Sequence, residues 1–253
     1  MQTEIRIIPI AGIGESPSGS DLGLVIFQAL QGQALQLEAG DILVVTQKIV
    51  SKAEGRVVNL DDIEPSAFAR SIAKAYEKDA AHVEVVLRES KRIVRMDHGV
   101  LITETPHGFI CANAGVDESN AGGSRILTLL PLDPDRSAGE IRSRLLQLSD
   151  EPIDIAVIIS DTWGRPWRDG QVNNAIGVAG MEPLVDYRGQ FDPYGYEMHV
   201  SKIAVADELA AAAELAMGKI DRIPAALVRG YRYIPGVGSG QALLRDPSTD
   251  MFR

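Results

Sequence analysis

Asp161 and Thr162 close an apolar run, Asp154–Ser160 (DIAVIIS), and Trp163, Arg165, Trp167, Arg168 and Asp169 follow at once. A carboxylate at the end of a buried run is costly unless it is paired, hydrogen-bonded or metal-bound. Thr162 adds a hydroxyl, and the two arginines gather positive charge beside it. The stretch ISDTWGRPWRDG holds both tryptophans of the chain. Gly164, Pro166 and Gly170 predict a loop of fixed path, with Trp163 and Trp167 anchoring or lining it rather than reacting.

Three further stretches follow predicted strands and mix glycine or asparagine with charge. In Pro9–Glu15 (PIAGIGE), glycines let backbone N–H groups approach a phosphate closely. In Thr46–Arg56 (TQKIVSKAEGR), Lys48 and Lys52 lie four apart and share one face if the segment is helical. Taken alone, the first reads as an ordinary turn and the second as a solvated amphipathic turn. In Cys111–Gly123 (CANAGVDESNAGG), Asn113, Asp117 and Asn120 are short oxygen donors on a glycine-punctuated loop. Hard cations such as Mg²⁺ or Mn²⁺ take oxygen ligands and need only one or two carboxylates when substrate phosphate completes the shell. The same pattern also makes a loop of Asx turns.

Other candidates carry less. His82, His98, His107 and His199 show no metal-ligand spacing and are read as structural. Cys111 has no base near it in sequence. Gly236–Gly240 (GVGSG) lacks the Lys-Ser/Thr of a phosphate-binding loop and is expected to fray as a flexible tail.

These residues sit on a chain of 253, enough for one large domain or two small ones. Its formal charge of −10 argues against a nucleic-acid surface, and an acidic protein that binds phosphates must concentrate cations locally. Mean hydropathy is near zero, no apolar run approaches the roughly 20 residues of a membrane span, and one cysteine permits no disulfide. A cytoplasmic setting is the expectation.

The positioning elements are then predicted. Strands are expected at 4–10, 41–45, 92–96, 100–104, 109–112, 154–160, 200–206 and 225–229, with a hairpin turn at Pro106-His107-Gly108. Helices are expected at 21–30 (capped by Asp21), 66–78, 79–90, 137–148 and 207–217. Strands and helices come partly in runs, which favours α+β, with mixed and antiparallel sheets and flanking helices, over a doubly wound sheet.

Read in order, DILVVTQKIVSKAEGR, CANAGVDESN, PLDPDRSA, ISDTWGRPWRDG, NNAIGVAGM and IPAALVRG resemble the coenzyme F420:L-glutamate ligase family. The likeness runs from Ile7 to about Tyr231, and the NAGxDxSN and DTxGRxxRxG elements are distinctive. It implies an α+β fold of gamma-glutamyl-ligase type, one domain over 1–253 with room for two lobes, and a homodimer. Some relatives carry a further flavin-binding domain, so the stand-alone form is expected here. The resemblance also implies GTP as co-substrate, with Mg²⁺ or Mn²⁺ and potassium. It assigns Asp117, Asp161 and Thr162 to metal, and Ile13, Gly14, Glu15, Ser16, Gln47, Lys48, Lys52 and Asn120 to nucleotide. The chain departs from archaeal members in MGKIDRIP, where Lys219 stands at the position of an acidic second-metal ligand, with Asp221 nearby.

The reaction so implied adds L-glutamate through a γ-linked amide to the deazaflavin coenzyme precursor, by way of an acyl phosphate, releasing GDP and phosphate. Lys52, Arg165 and Arg168 would then offset anionic charge during catalysis. A metal-dependent phosphohydrolase or kinase, and a non-catalytic nucleotide-binding module, are the alternatives from other classes.

Overall fold

The computed structural model describes residues 4–118, 123 and 125–251. The first half runs β1 (Arg6–Pro9), α1 (Leu22–Gly32), β2 (Ile42–Thr46), α2 (Gln47–Ala53), β3 (Val57–Asn59), α3 (Ala67–Tyr76) and α4 (Ala80–Arg88). Then come β4 (Arg92–Asp97), β5 (Val100–Glu104), β6 (Ile110–Ala112) and β7 (Ile126–Thr128). The second half holds α5 (Pro134–Leu148), β8 (Ala156–Arg165), β9 (Arg168–Ala179), β10 (Val185–Asp186), β11 (Lys202–Ile203), α6 (Val205–Met217) and β12 (Ala225–Arg229). The α+β expectation holds in this coarse form.

The main sheet has the order β1-β12-β2-β8-β9 and is antiparallel apart from β2 and β8, which run side by side in parallel. The Ile-Leu-Val-Val run of β2 is buried on both faces because helices cover both. Leu43 and Val45 face the core under α1 and α5, while Ile42 and Val44 face the core under α6. A third core joins α3 and α4 to the small sheets β3-β7 and β4-β5-β6. Asp21 caps α1 by accepting from the Leu24 N–H, as the sequence indicates. The antiparallel set β4-β5-β6 and the turn at 106–108 also form as predicted.

Four expectations are corrected. The segment 159–170 is no loop: β8 continues through Arg165 and turns at Pro166-Trp167 into β9. A long hairpin satisfies the backbone groups that a loop would leave to water. Trp163 does anchor the core, with its ring centroid 5.9 Å from that of Phe109, but Trp167 is 82% exposed at the hairpin tip with φ +57°. Between 200 and 206, only Lys202–Ile203 is strand, because α6 already starts at Val205.

The glycine segment 236–240 does not fray. The Gly240 N–H and Ser239 hydroxyl donate to Asp135, the Gly180 N–H donates to the Val237 carbonyl, and Gly238 and Gly240 lie against backbone. A Cβ at Gly240 would stand 2.3 Å from the Ile176 carbonyl oxygen. Here glycine serves close packing, not flexibility.

Candidate functional site

The parallel pair sets the site's place. Thr46 and Ser160 lie opposite each other in register, so β2 and β8 deliver their next residues to the same edge of the sheet. Crevices outside the carboxyl ends of parallel strands are where open α/β sheets bind ligands. A cleft of about 390 Å³ opens there. It is lined by Ile13, Gly14 and Glu15 of the β1–α1 connection, Lys48 and Lys52 of α2, Asp161 and Thr162 of β8, Asn173 of β9, and the segment after α6.

The two lysines lie one turn apart on α2 and both face the cleft, as their spacing suggests. Each already holds a carboxylate: Lys48 Nζ lies 2.8 Å from Asp117 Oδ2, and Lys52 Nζ lies 2.8 Å from Glu15 Oε2. Lys52 and its neighbours hold the Glu15 carboxyl below its ordinary value. Glu15 is exposed, so that pair exchanges readily for another anion.

Asp161 is held in an environment that disfavours its charge. The residue is only 8% exposed, and burial pushes its carboxyl up to about 6, with Asp117 adding to the rise. The Thr162 N–H, Lys48 and Lys219 pull the other way. Cys111 lies close enough to feel the same charge: burial first, and Asp161 second, push its thiol up to about 12, which makes it inert.

A bulge decides what faces Thr162. Ile159 opposes Gly177, but Ser160 opposes Ala175, so β9 contains one extra residue. Thr162 therefore pairs with Asn173 instead of Asn174 and donates its hydroxyl to Asn173 Oδ1 at 2.5 Å. The bulge sits where β9 meets the start of α5; a Cβ on Gly177 would stand 2.3 Å from the Pro134 carbonyl oxygen. Because successive strand residues point to opposite sides, Asp161 and Thr162 present their side chains to different flanks of β8. Asp117 and Lys48 attend the first, Asn173 and Lys219 the second.

The remaining sequence candidates separate. Gln47 is buried and accepts the Ser51 hydroxyl at 2.7 Å, and Ser16 is buried beside the cleft without lining it. Asn120 lies outside the described residues. Arg165 donates to the Asp169 carbonyl on the outer hairpin and Arg168 is exposed there; neither lines the cleft. Positive charge at the cleft comes instead from Lys48, Lys52, Lys219 and Arg222. Sequence reasoning missed Asn173, Glu214 and Arg222. A polar residue within the apolar run 172–180 was the available signal for Asn173. The other two carried none, since they come into place only through the end of α6.

The Asp161 flank suits a hard divalent cation, with two carboxylates, one of them desolvated; the Thr162 hydroxyl, also expected to ligate metal, faces the other flank and is engaged by Asn173 and Lys219. Asp117 adds to the cost of ionising Asp161, which a cation between them would relieve. Among the described residues no group of three or more His, Cys, Asp or Glu could hold a metal, so phosphate or water must complete the shell. Among them, too, no helix is long and apolar enough to cross a membrane.

The family model for F420-0:gamma-glutamyl ligases matches residues 13–230. The coenzyme F420:L-glutamate ligase of Methanothermobacter thermautotrophicus is 44% identical over 98% of this chain and 99% of its own length. Proteins of the same name from Methanopyrus kandleri, at 44% over 98% of both chains, and Archaeoglobus fulgidus, at 39% over 98% and 96%, are similar throughout.

Proposed function

Since the chain belongs to the F420-0:gamma-glutamyl ligase family, and is a ligase joining glutamate to coenzyme F420, we propose that GTP drives the reaction through an acyl phosphate. A free carboxylate is a poor acyl donor because its oxygen leaves badly. Transfer of the GTP γ-phosphoryl group to the terminal carboxylate of the coenzyme precursor makes an acyl phosphate and GDP. The α-amine of L-glutamate then attacks the acyl carbon, the C–O bond to phosphate breaks, and the amine loses a proton. The products are the amide, GDP and phosphate.

The observation that carries this reading is the buried Asp161 at the end of β8, with Asp117 and Lys48 on one flank and the lysine-bearing α2 at the mouth. Phosphoryl transfer is catalysed mainly by positioning and by neutralising spread-out negative charge. Asp161 and Asp117 would hold Mg²⁺ or Mn²⁺. When bound, that ion supplies charge neutralisation on the phosphate oxygens. Lys48 and Lys52 exchange their carboxylate partners for phosphate oxygens. The Ile13-Gly14-Glu15 segment covers the nucleotide, with Gly14 leaving open space where a side chain would stand. Arg165 and Arg168, out on the hairpin, would meet the anionic ends of coenzyme or glutamate. A homodimer fits the exposed Phe191, Tyr194, Tyr196 and Val200 between β10 and β11, an apolar surface that a second copy would cover.

The test is incubation with GTP, Mn²⁺, L-glutamate and the glutamate-free coenzyme, followed by mass spectrometry. The expected result is a gain of one or more glutamyl groups with matched GDP release. Phosphate release at full rate without glutamate, and no mass gain, would overturn the proposal in favour of a phosphohydrolase.

A further inference from the structure

Lys219 reaches the cleft because of how α6 ends. Gly218 has φ +62°, a left-handed conformation that favours glycine, and a Cβ there would stand 2.3 Å from Asp221 Oδ2. The chain turns sharply after Met217 and directs Lys219 over the cleft. Its Nζ donates to Thr162 Oγ1 at 2.5 Å and lies 3.3 Å from Glu214 Oε1.

Three features make this a cation's place. The Thr162 hydroxyl spends its hydrogen on Asn173, so an oxygen lone pair is left toward Lys219. Asn173 is itself buried, at 4% exposure, and is fixed by the bulged register described above. The carbonyl end of the 13-residue α6 lies immediately before, and helix C-termini favour positive charge. On this flank of β8 the ammonium thus has a hydroxyl, a carboxylate and a helix end around it.

We propose that Lys219 is a resident cation of the cleft: it occupies the open lone pair of Thr162 and binds the terminal phosphates directly, so that no divalent ion sits on that flank. This deepens the nucleotide-driven ligation proposed above and rests on it. A divalent ion is then confined to the Asp161–Asp117 flank, and Lys219 supplies the neighbouring positive charge as a compact ammonium on a flexible stem. Its side chain is 53% exposed, so swinging from Glu214 to a phosphate oxygen needs no backbone movement.

The experiment compares the parent protein with Lys219→Met, Lys219→Arg and Lys219→Glu. The probes are a non-hydrolysable GTP analogue and Mn²⁺, with affinity read by calorimetry and bound Mn²⁺ counted by electron paramagnetic resonance. Turnover is measured alongside. Lys219→Met is expected to weaken the analogue about 10-fold and to lower kcat by about 10- to 100-fold, while Lys219→Arg keeps most of both. Lys219→Glu is expected to bind one more Mn²⁺ per chain than the parent, because a second carboxylate then stands beside Glu214 and the Thr162 oxygen. Parental analogue affinity in Lys219→Met, or a parental Mn²⁺ count in Lys219→Glu, overturns the proposal. Should the parent add no glutamate yet bind the analogue with Mn²⁺, the ligation reading fails and the two binding readouts still decide Lys219.

Discussion

Replacing Asp161 with asparagine should make the protein more stable and inactive at once. The carboxyl stands at about 6 against an ordinary 3.8, chiefly because burial penalises its charge. A difference of about two in pKa corresponds to about 3 kcal/mol, which the fold bears whenever Asp161 is ionised without a cation. Its folded pKa is raised, so the folded state holds the extra proton between about pH 4 and 6. From this group, stability therefore falls as pH rises through that window, and the full cost is present above about pH 6.5. Asparagine is nearly isosteric, still accepts from the Thr162 N–H, and carries no charge. At pH 7.5, without divalent ion or nucleotide, Asp161→Asn should gain up to about 3 kcal/mol, or roughly 6 °C in Tm for a chain of this size. The gain should shrink to nothing near pH 4. Turnover should drop by about 100-fold or more, the loss of several kcal/mol of charge stabilisation. Calorimetric scans from pH 4 to 8 and a steady-state assay settle both halves. A variant less stable than the parent at pH 7.5, or a stability difference that does not vary with pH, would refute the electrostatic reasoning; retained turnover would refute the metal-ligand role.

Three further outcomes are expected. Lys52→Ala should raise the KM for GTP about 10-fold while moving stability by less than about 0.5 kcal/mol, since its partner Glu15 is exposed; initial rates and a thermal melt check this. Gly177→Ala should cost about 1–3 kcal/mol, because its Cβ would meet the Pro134 carbonyl at 2.3 Å and the bulge could not hold its register; denaturant titration measures it. Asp135→Ala should cost about 3 kcal/mol by stranding the Val178 and Gly240 N–H groups and the Ser239 hydroxyl, and limited proteolysis should then cut within residues 232–251 sooner.

Much of the local structure was legible because its signals are local. Asp21 sits immediately before an apolar-periodic segment, and the capped helix follows. After Asp41, the run ILVV is short, mostly β-branched and wholly apolar, and it forms the doubly covered strand β2. Lys48 and Lys52 are four apart, and the helix places both in the cleft. The hairpin 156–179 was missed beyond Ser160 because glycine and proline in WGRPWRDG imitate a loop, while strand pairing depends on a partner that lies downstream. The tail at 236–240 was misread for the same reason. Its glycines look flexible until the backbones of Ile176 and Val178 are set against them.

What the sequence determined by itself was the kind of site and its family: oxygen donors after one strand, lysines after another, and motifs distinctive enough to carry the resemblance. Tertiary structure alone decided the site's membership. The parallel pairing of β2 with β8 brings Thr46 and Ser160, 114 positions apart, to one edge. One extra residue in β9 turns Asn173 rather than Asn174 toward Thr162, and a glycine after α6 returns Lys219 to the cleft. Residue types fix what chemistry is possible. Register, bulges and chain reversals, which arise from long-range packing, fix which of those residues meet.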